Sequence, residues 1–162
     1  MCLLKSGPER LPMSWFPLAF SFAIYSLVSL ASLIIANDQL GWLRLTGTVI
    51  LNVVIEGVIV CGLLAFGGVL RRMGPTMTAL LGTHAIVLLL MLPINALFLD
   101  HDQPTIRLIA RTIFLGSFLW GLTIAGFILR RASNVSLAQG IAIALSIKML
   151  AYSATLLIPA TA

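Results

Sequence analysis

The chain has 162 residues, of which 60% are hydrophobic and only 9% charged, and its mean hydropathy is +1.10. A soluble fold of this size could not bury so much apolar surface, so the composition excludes an ordinary soluble domain and predicts a membrane protein. The net charge of +5 does not indicate a nucleic-acid partner, because the basic residues lie mainly in short connections between apolar stretches, where they set orientation in the bilayer.

Five apolar stretches follow a polar lead of residues 1–14. Each is long enough, as a helix, to cross a hydrocarbon core of roughly 30 Å. Strands are not expected, since an isolated strand in lipid would leave its backbone polar groups without partners. The predicted fold class is therefore an all-α bundle of five transmembrane helices. The predicted spans are residues 15–36, 46–70, 78–99, 108–129 and 137–158, and residues 159–162 form a short tail.

Two arginine pairs follow the second and fourth predicted spans. Arg71 and Arg72 should therefore lie on the same side of the membrane as Arg130 and Arg131. The positive-inside rule places this side and the N-terminus in the cytoplasm, and the C-terminus outside. The same pairs are candidates for contact with anionic lipid headgroups or with a cytoplasmic partner.

One carboxylate, Glu56, lies near the middle of the second span. A charge at that depth costs roughly 2.5–3.5 kcal/mol on insertion scales unless it is protonated, paired or facing a cavity. Lys148 is the one basic residue well inside another apolar stretch, and from the inner ends the two lie roughly 21 and 16 Å deep. We predict a buried pair between them. The pair could merely fix helix register or could move protons or ions. The remaining possibilities are contact with a partner subunit and a Glu56 that is simply protonated.

Polar or small residues recur at helical spacing on four of the five predicted helices, so these faces should meet inside the bundle. His84 is interpreted as a packing residue, with a proton relay as the alternative, and Pro93 should bend the third helix. The stripes are Ser21, Tyr25, Ser29 and Ser32; Thr48, Asn52 and Glu56; His84 and Asn95; and Gly140, Ala144, Lys148 and Ala151.

Glycines recur every five residues in two of the spans, and we interpret them as packing positions where another helix comes close. They are Gly57, Gly62 and Gly67 in the second span, and Gly116, Gly121 and Gly126 in the fourth.

Motifs for catalysis or cofactor binding are not found in the sequence. It contains no G-x-S-x-G elbow, no H-E-x-x-H zinc helix and no phosphate-binding glycine loop. The two histidines, His84 and His101, lie at different depths, which argues against a haem. Asp100, His101 and Asp102 are interpreted as a solvated turn rather than a metal site. No enzyme activity, cofactor or metal is predicted.

Three short runs carry a family resemblance: Thr76-Met77-Thr78-Ala79-Leu80-Leu81-Gly82-Thr83, Leu92-Pro93 and Ile128-Leu129-Arg130-Arg131. With five spans and an inner N-terminus, they resemble the bacterial branch of the Yip family, which is named for eukaryotic proteins that interact with Rab-type GTPases. The Asp-Leu-Tyr-Gly-Pro signature of the eukaryotic members is absent, so a GTPase partner is not implied. The resemblance implies a five-helix membrane protein with no catalytic residue to transfer.

The sequence thus predicts a multi-pass protein of the bacterial inner membrane that acts as a scaffold or accessory subunit through its helices and inner loops. The expected partners are the lipid bilayer, other membrane subunits or further copies of the chain, and anionic lipid. The alternative function is a small proton- or ion-coupled transporter component that uses Glu56, Lys148 and His84.

Overall fold

The computed structural model describes residues 15–36, 41–99 and 104–156, and five long helices make up nearly all of them. Each helix is long and apolar enough to cross a membrane, so the predicted all-α five-helix bundle is confirmed. The second helix begins and ends earlier than predicted, the third begins earlier, and the fourth is longer at both ends. The helices are α1 (Trp15–Ala36), α2 (Trp42–Phe66), α3 (Met73–Leu99), α4 (Pro104–Ser133) and α5 (Leu137–Thr155).

The five helices form a closed ring in the order α1, α3, α4, α5, α2. The most extensive packing joins α1 to α3, and α4 packs on both α3 and α5. α2 closes the ring by packing on α5 and α1, and it also contacts α3 and α4. The ring order differs from the chain order, so residues far apart in the sequence face one another across the interior.

The end of α2 is fixed by backbone geometry inside the apolar run. Gly68 has φ +68°, a conformation that favours glycine, and the N–H of Val69 donates to the carbonyl of Leu64 at 2.9 Å. The N–H of Gly68 donates to the carbonyl of Ala65 at 3.0 Å, which completes a Schellman motif. The predicted span to residue 70 is therefore wrong at its end, because the chain turns here.

The corner between α4 and α5 depends on three residues that follow Ser133. Asn134 has φ 58°, and Ser136 then caps α5. The N–H of Gln139 donates to the hydroxyl of Ser136 at 3.2 Å, and the N–H of Ser136 donates to the side-chain oxygen of Gln139 at 2.9 Å. This reciprocal capping box satisfies two backbone donors that the first turn would otherwise leave free.

The α2–α3 connection is tied to the end of α4. A single 3-10 turn, Leu70–Arg72, precedes α3, and the guanidinium of Arg72 donates to the carbonyls of Arg131 at 3.2 Å and Ala132 at 3.1 Å. Carbonyls in the last turn of a helix lack intrahelical partners, so Arg72 acts as a cap supplied from elsewhere in the chain. The predicted placement of both arginine pairs on one side of the bundle is confirmed.

α4 and α5 approach most closely at Gly126 and Gly140. A Cβ atom on Gly140 would overlap the carbonyl oxygen of Gly126, and one on Gly126 would lie 2.5 Å from Cγ1 of Ile141. Small residues that let two backbones meet are a common device of membrane helix packing.

The other predicted packing glycines behave differently. Gly57 and Gly121 have neighbours only at ordinary contact distances of 3.8 Å, and Gly67 belongs to the end of α2. For Gly62 and Gly116 the prediction is wrong, since a Cβ atom at either position would meet nothing within 4 Å. The five-residue spacing turns these positions away from the helix contacts.

Candidate functional site

Glu56 is the only carboxylate among the side chains that the structure describes, and it is 3% exposed. Two basic side chains flank it. Nδ1 of His84 lies 3.4 Å from Oε1 of Glu56, and Nζ of Lys148 lies 4.0 Å from Oε2. We call Glu56, His84 and Lys148 the charged centre. It joins α2, α3 and α5, and it contains the pair that the sequence predicted together with a closer partner, His84.

The three residues of the charged centre lie at nearly the same depth. His84 and Lys148 are each eleven residues from the first residue of their helix on the arginine side, Met73 and Leu137. Glu56 is ten residues from the end of α2 at Phe66. At the rise of an α-helix these positions are roughly 15–17 Å from that end. The difference in depth expected between Glu56 and Lys148 disappears, because α2 ends before residue 70.

Helical periodicity places the charged side chains inside the ring. The buried residues of α2 lie on one face with Glu56, and Gly140, Ala144 and Ala151 of α5 are buried on the side that carries Lys148. Side chains three or four positions apart share a helix face, so packing of the apolar neighbours fixes where each charge projects.

Tyr25 brings α1 to the charged centre. Its ring centroid lies 6.3 Å from that of His84, with the two rings tilted by 49°, and its side chain is buried. One turn earlier on α1, the hydroxyl oxygen of Ser21 would lie 3.5 Å from a Cβ atom on Gly82 of α3. The polar stripe of α1 therefore faces α3, and four helices contribute polar groups to the interior.

Nδ1 of His84 is buried and makes no hydrogen bond within the described ranges, although Glu56 is at ion-pair distance. The separation would allow a hydrogen bond, but the alignment does not. The arrangement therefore holds a carboxylate and an imidazole close enough to exchange a proton after reorientation.

A half-open cavity of about 290 Å³ lies beside the charged centre. His84 and Lys148 form part of its wall, whereas Glu56 does not line it. Apolar side chains of α3 and α4 provide most of the remaining surface. The polar lining residues are Tyr25, Ser32, His84, Ser117 and Lys148, and the larger apolar ones are Leu88, Met91, Phe114, Phe118 and Leu122.

Comparison of the chain with protein-family models, with curated proteins and with solved structures finds no match. The resemblance to the Yip family stays a prediction from short sequence runs. Function is therefore argued from the charged centre and the cavity.

The remaining predicted site residues lie elsewhere or outside the described residues. Asn52 donates from Nδ2 to the carbonyl of Thr48 at 2.8 Å, so its side-chain amide forms a hydrogen bond within its own helix. Asn95 is among the side chains that the structure does not describe, and the turn 100–102 lies outside the described residues. Within the described chain, no group of three or more His, Cys, Asp or Glu is placed to hold a metal ion.

Of the arginines predicted to lie on the inner side, Arg71, Arg130 and Arg131 are exposed at one end of the bundle, whereas Arg72 is partly buried. The guanidinium of Arg131 lies 5.5 Å from the ring centroid of Phe127, a cation–π distance.

Two features of the site had no clear signal in the sequence. Spacing alone did not pair His84 with Glu56, because the apparent turn at residues 71–75 hid the true start of α3 at Met73. The cavity wall from α4 was also missed, since Phe114 and Phe118 look like ordinary lipid-facing residues. Counting depth from Met73 for His84 and from Phe66 for Glu56 would have placed the two residues level.

Proposed function

We propose that this multi-pass membrane protein is a proton-coupled component of membrane transport, and that the charged centre handles the proton. One observation carries the proposal: Glu56 is buried between two basic side chains, and both of these line a cavity. Ionisable groups inside transmembrane helices are costly and commonly mark proton or substrate pathways.

A pair that only fixed helix register would need one cation for one carboxylate. Here a second basic group, His84, contacts the same carboxylate. With Glu56 and Lys148 charged, the charged centre carries no net charge when His84 is neutral and one positive charge when it is protonated. An imidazole can accept or release a proton, so protonation of His84 adds one positive charge to the cavity wall.

The groups around His84 support a role in proton transfer. Glu56 of α2 stabilises an imidazolium at His84, whereas Lys148 of α5 opposes it, and the ring of Tyr25 covers the side facing α1. A proton that enters from the cavity binds the imidazole, and reorientation toward Glu56 carries it to the carboxylate. The proton returns from Glu56 to the imidazole of His84 and then to the cavity by the reverse of these steps.

The orientation that we propose puts the arginine end of the bundle in the cytoplasm of a bacterial cell, with the protein in the inner membrane. The support is the excess of arginine at this end, where Arg71 and Arg130 are exposed. To test it, Cys2 and Cys61 are replaced by alanine, and a single cysteine is introduced at Ala138 or Thr105, which are exposed at opposite ends. A membrane-impermeant maleimide added to intact cells with a permeabilised outer membrane should label Thr105→Cys and not Ala138→Cys. The reverse pattern would overturn this orientation.

The proposed function is tested with purified protein in liposomes that contain a pH-sensitive dye. A pH step is applied while potassium and valinomycin clamp the membrane potential. The wild type should dissipate the step several-fold faster than empty liposomes, and Glu56→Gln and His84→Gln should lose most of this rate. Asn52→Ala is the matched control on α2, since Asn52 bonds only its own backbone among the described groups, and it should keep the rate.

Two results would contradict the proposal. One is a wild-type rate equal to that of empty liposomes, and the other is full flux in a folded Glu56→Gln variant. If flux is absent and the same membrane subunits are recovered with the chain in fixed ratio, the scaffold or accessory-subunit function is favoured instead.

A further inference from the structure

We propose that the cavity beside the charged centre binds a small monocarboxylate with an apolar body, with its carboxylate at Lys148 and His84. As the transported substrate, this ligand rests on the proposed function, whereas binding itself does not.

The charge of the cavity wall favours an anion. Lys148 and His84 line the cavity together with Tyr25 and Ser117, and all four side chains carry hydrogen-bond donors. No carboxylate lines the described part of the wall, because Glu56 lies behind the two basic groups. A cationic ligand would meet Lys148 at close range, so the wall selects against it.

The net charge also fits one anion and one proton together. When His84 is protonated, the charged centre has one positive charge, and a bound carboxylate cancels it. The loaded cavity is then electrically neutral, which avoids the large cost of an uncompensated charge in a low-dielectric region. The ligand and the proton therefore stabilise each other's binding.

The volume and the apolar walls limit the rest of the ligand. An apolar cavity of about 150 Å³ accommodates benzene, and drug-sized ligands occupy about 300–1,000 Å³. At about 290 Å³, this cavity suits a body of roughly a dozen non-hydrogen atoms. Met91, Phe114 and Phe118 offer apolar surface to such a body. A whole phospholipid is too large to be enclosed.

The wall on α4 is also the point of access. Phe114 and Phe118 line the cavity, yet they are 51% and 38% exposed, so the same side chains also face the outside of the bundle. Rotation of these two rings would widen the opening of the half-open cavity on this side. The acid can thus come from water or as a medium-chain fatty acid from the membrane, and the test includes both sources.

The test uses the full chain in lipid nanodiscs and radiolabelled benzoate, with binding to empty nanodiscs subtracted. Benzoate should bind saturably, whereas benzyl alcohol and benzylamine, which keep the ring but lack the carboxylate, should compete at least tenfold more weakly. If decanoate competes more strongly than unlabelled benzoate, the ligand comes from the membrane. If it competes more weakly, the ligand comes from water. Both results support a carboxylate site, whereas equal competition by benzylamine would overturn it.

Two variants test separately how the charge of Lys148 and the volume of the cavity contribute to benzoate binding. Lys148→Gln should weaken benzoate binding at least tenfold, and Ser117→Phe should do the same by filling the cavity while leaving the charged centre intact. Tyr152→Phe is the matched control, since Tyr152 is 68% exposed on α5, one turn beyond Lys148, and it should bind as the wild type does. Circular dichroism and gel filtration identify variants that fail to fold. Wild-type affinity in folded Ser117→Phe would overturn the site.

Proton flux in liposomes, measured on the same preparations with and without benzoate and corrected for the flux in empty liposomes under the same conditions, distinguishes this inference from the proposed function. Flux without saturable benzoate binding would overturn the carboxylate site and leave the proposed function standing. Benzoate binding without flux would overturn the proposed function and leave a carboxylate-binding membrane protein.

Discussion

His84 lies closer to the carboxylate of Glu56 than Lys148 does, with Nδ1 at 3.4 Å from Oε1 against 4.0 Å from Nζ to Oε2. The contact joins α2 to α3, and the Lys148 contact joins α2 to α5. One buried carboxylate thereby links α2 to both α3 and α5.

The first prediction concerns energetic coupling within the charged centre. Double-mutant cycles of Glu56→Gln with His84→Gln, and of Glu56→Gln with Lys148→Gln, should each show a coupling of about 0.5–1.7 kcal/mol in the free energy of unfolding, the range of polar contacts between membrane helices. Unfolding is measured by SDS titration in mixed micelles. Exchanging Glu56 and Lys148 should recover much of the stability that either single change loses.

Ser146→Ala is the control for these cycles, since Ser146 is exposed on α5 and its hydroxyl donates to the carbonyl of Ala142. Its coupling to Glu56→Gln should be near zero. If the coupling of Glu56→Gln to the change at His84 or Lys148 is also near zero, the contact between those two residues contributes nothing to stability.

The second prediction compares glycines in close packing with glycines in open space. Gly140→Ala should lower the free energy of unfolding by about 1–3 kcal/mol, because the added methyl group meets the backbone of Gly126 and the helices must move apart. Gly62→Ala and Gly116→Ala should be neutral or stabilising by up to about 1 kcal/mol, since alanine is the better helix former and nothing lies in the way. The same SDS titration measures all three, and a Gly140→Ala variant as stable as Gly116→Ala would refute the close approach.

The third prediction concerns the tie between the arginine loops. Arg72→Gln should destabilise the bundle by about 1.5 kcal/mol, the lower range for hydrogen bonds to a charged group, because the carbonyls of Arg131 and Ala132 lose their donor. Hydrogen exchange should also rise at the end of α4. Arg71→Gln removes the same charge from the neighbouring exposed position and should change stability by less than about 0.5 kcal/mol. If Arg72→Gln and Arg71→Gln lower stability equally, the loss comes from the change in net charge and not from the hydrogen bonds.

The fourth prediction tests the cap of α5. Ser136→Ala should cost about 1 kcal/mol and increase hydrogen exchange in the first turn of α5, because the N–H of Gln139 loses its acceptor. Ser136→Asp should preserve stability, since a carboxylate accepts the same bond and favours a helix N-terminus. Loss of stability in both variants would show that the hydroxyl acts in some way other than capping.

The number of helices and the inward position of Glu56 and Lys148 could be predicted because membrane insertion depends on simple sums of hydropathy and charge. The positions of the helix ends could not be predicted in this way. Gly67 and Gly68 end α2 within an apolar run, so no change in hydropathy marks the boundary. Pro75 looks like a loop residue, yet it lies in the first turn of α3, where its missing N–H has no intrahelical acceptor in any case.

The cavity could not be predicted because it depends on which helices become neighbours. The approach of Gly126 to Gly140 fixes α4 against α5, and this brings the α4 wall alongside Lys148. Spacing within one helix does not indicate such a pairing. Whether Pro93 bends α3 stays a prediction, since the helix is continuous from Met73 to Leu99.

The closed order of the helices has a consequence for synthesis of the protein. α1, α2 and α3 are synthesised before α4 and α5, and α5, the last of the five helices, closes the ring between α4 and α2. Until α5 inserts, Glu56 has His84 as a partner but not Lys148. A nascent chain that stops before residue 137 therefore leaves the carboxylate of Glu56 in the bilayer without Lys148, so insertion of α5 is the step that completes the charged centre.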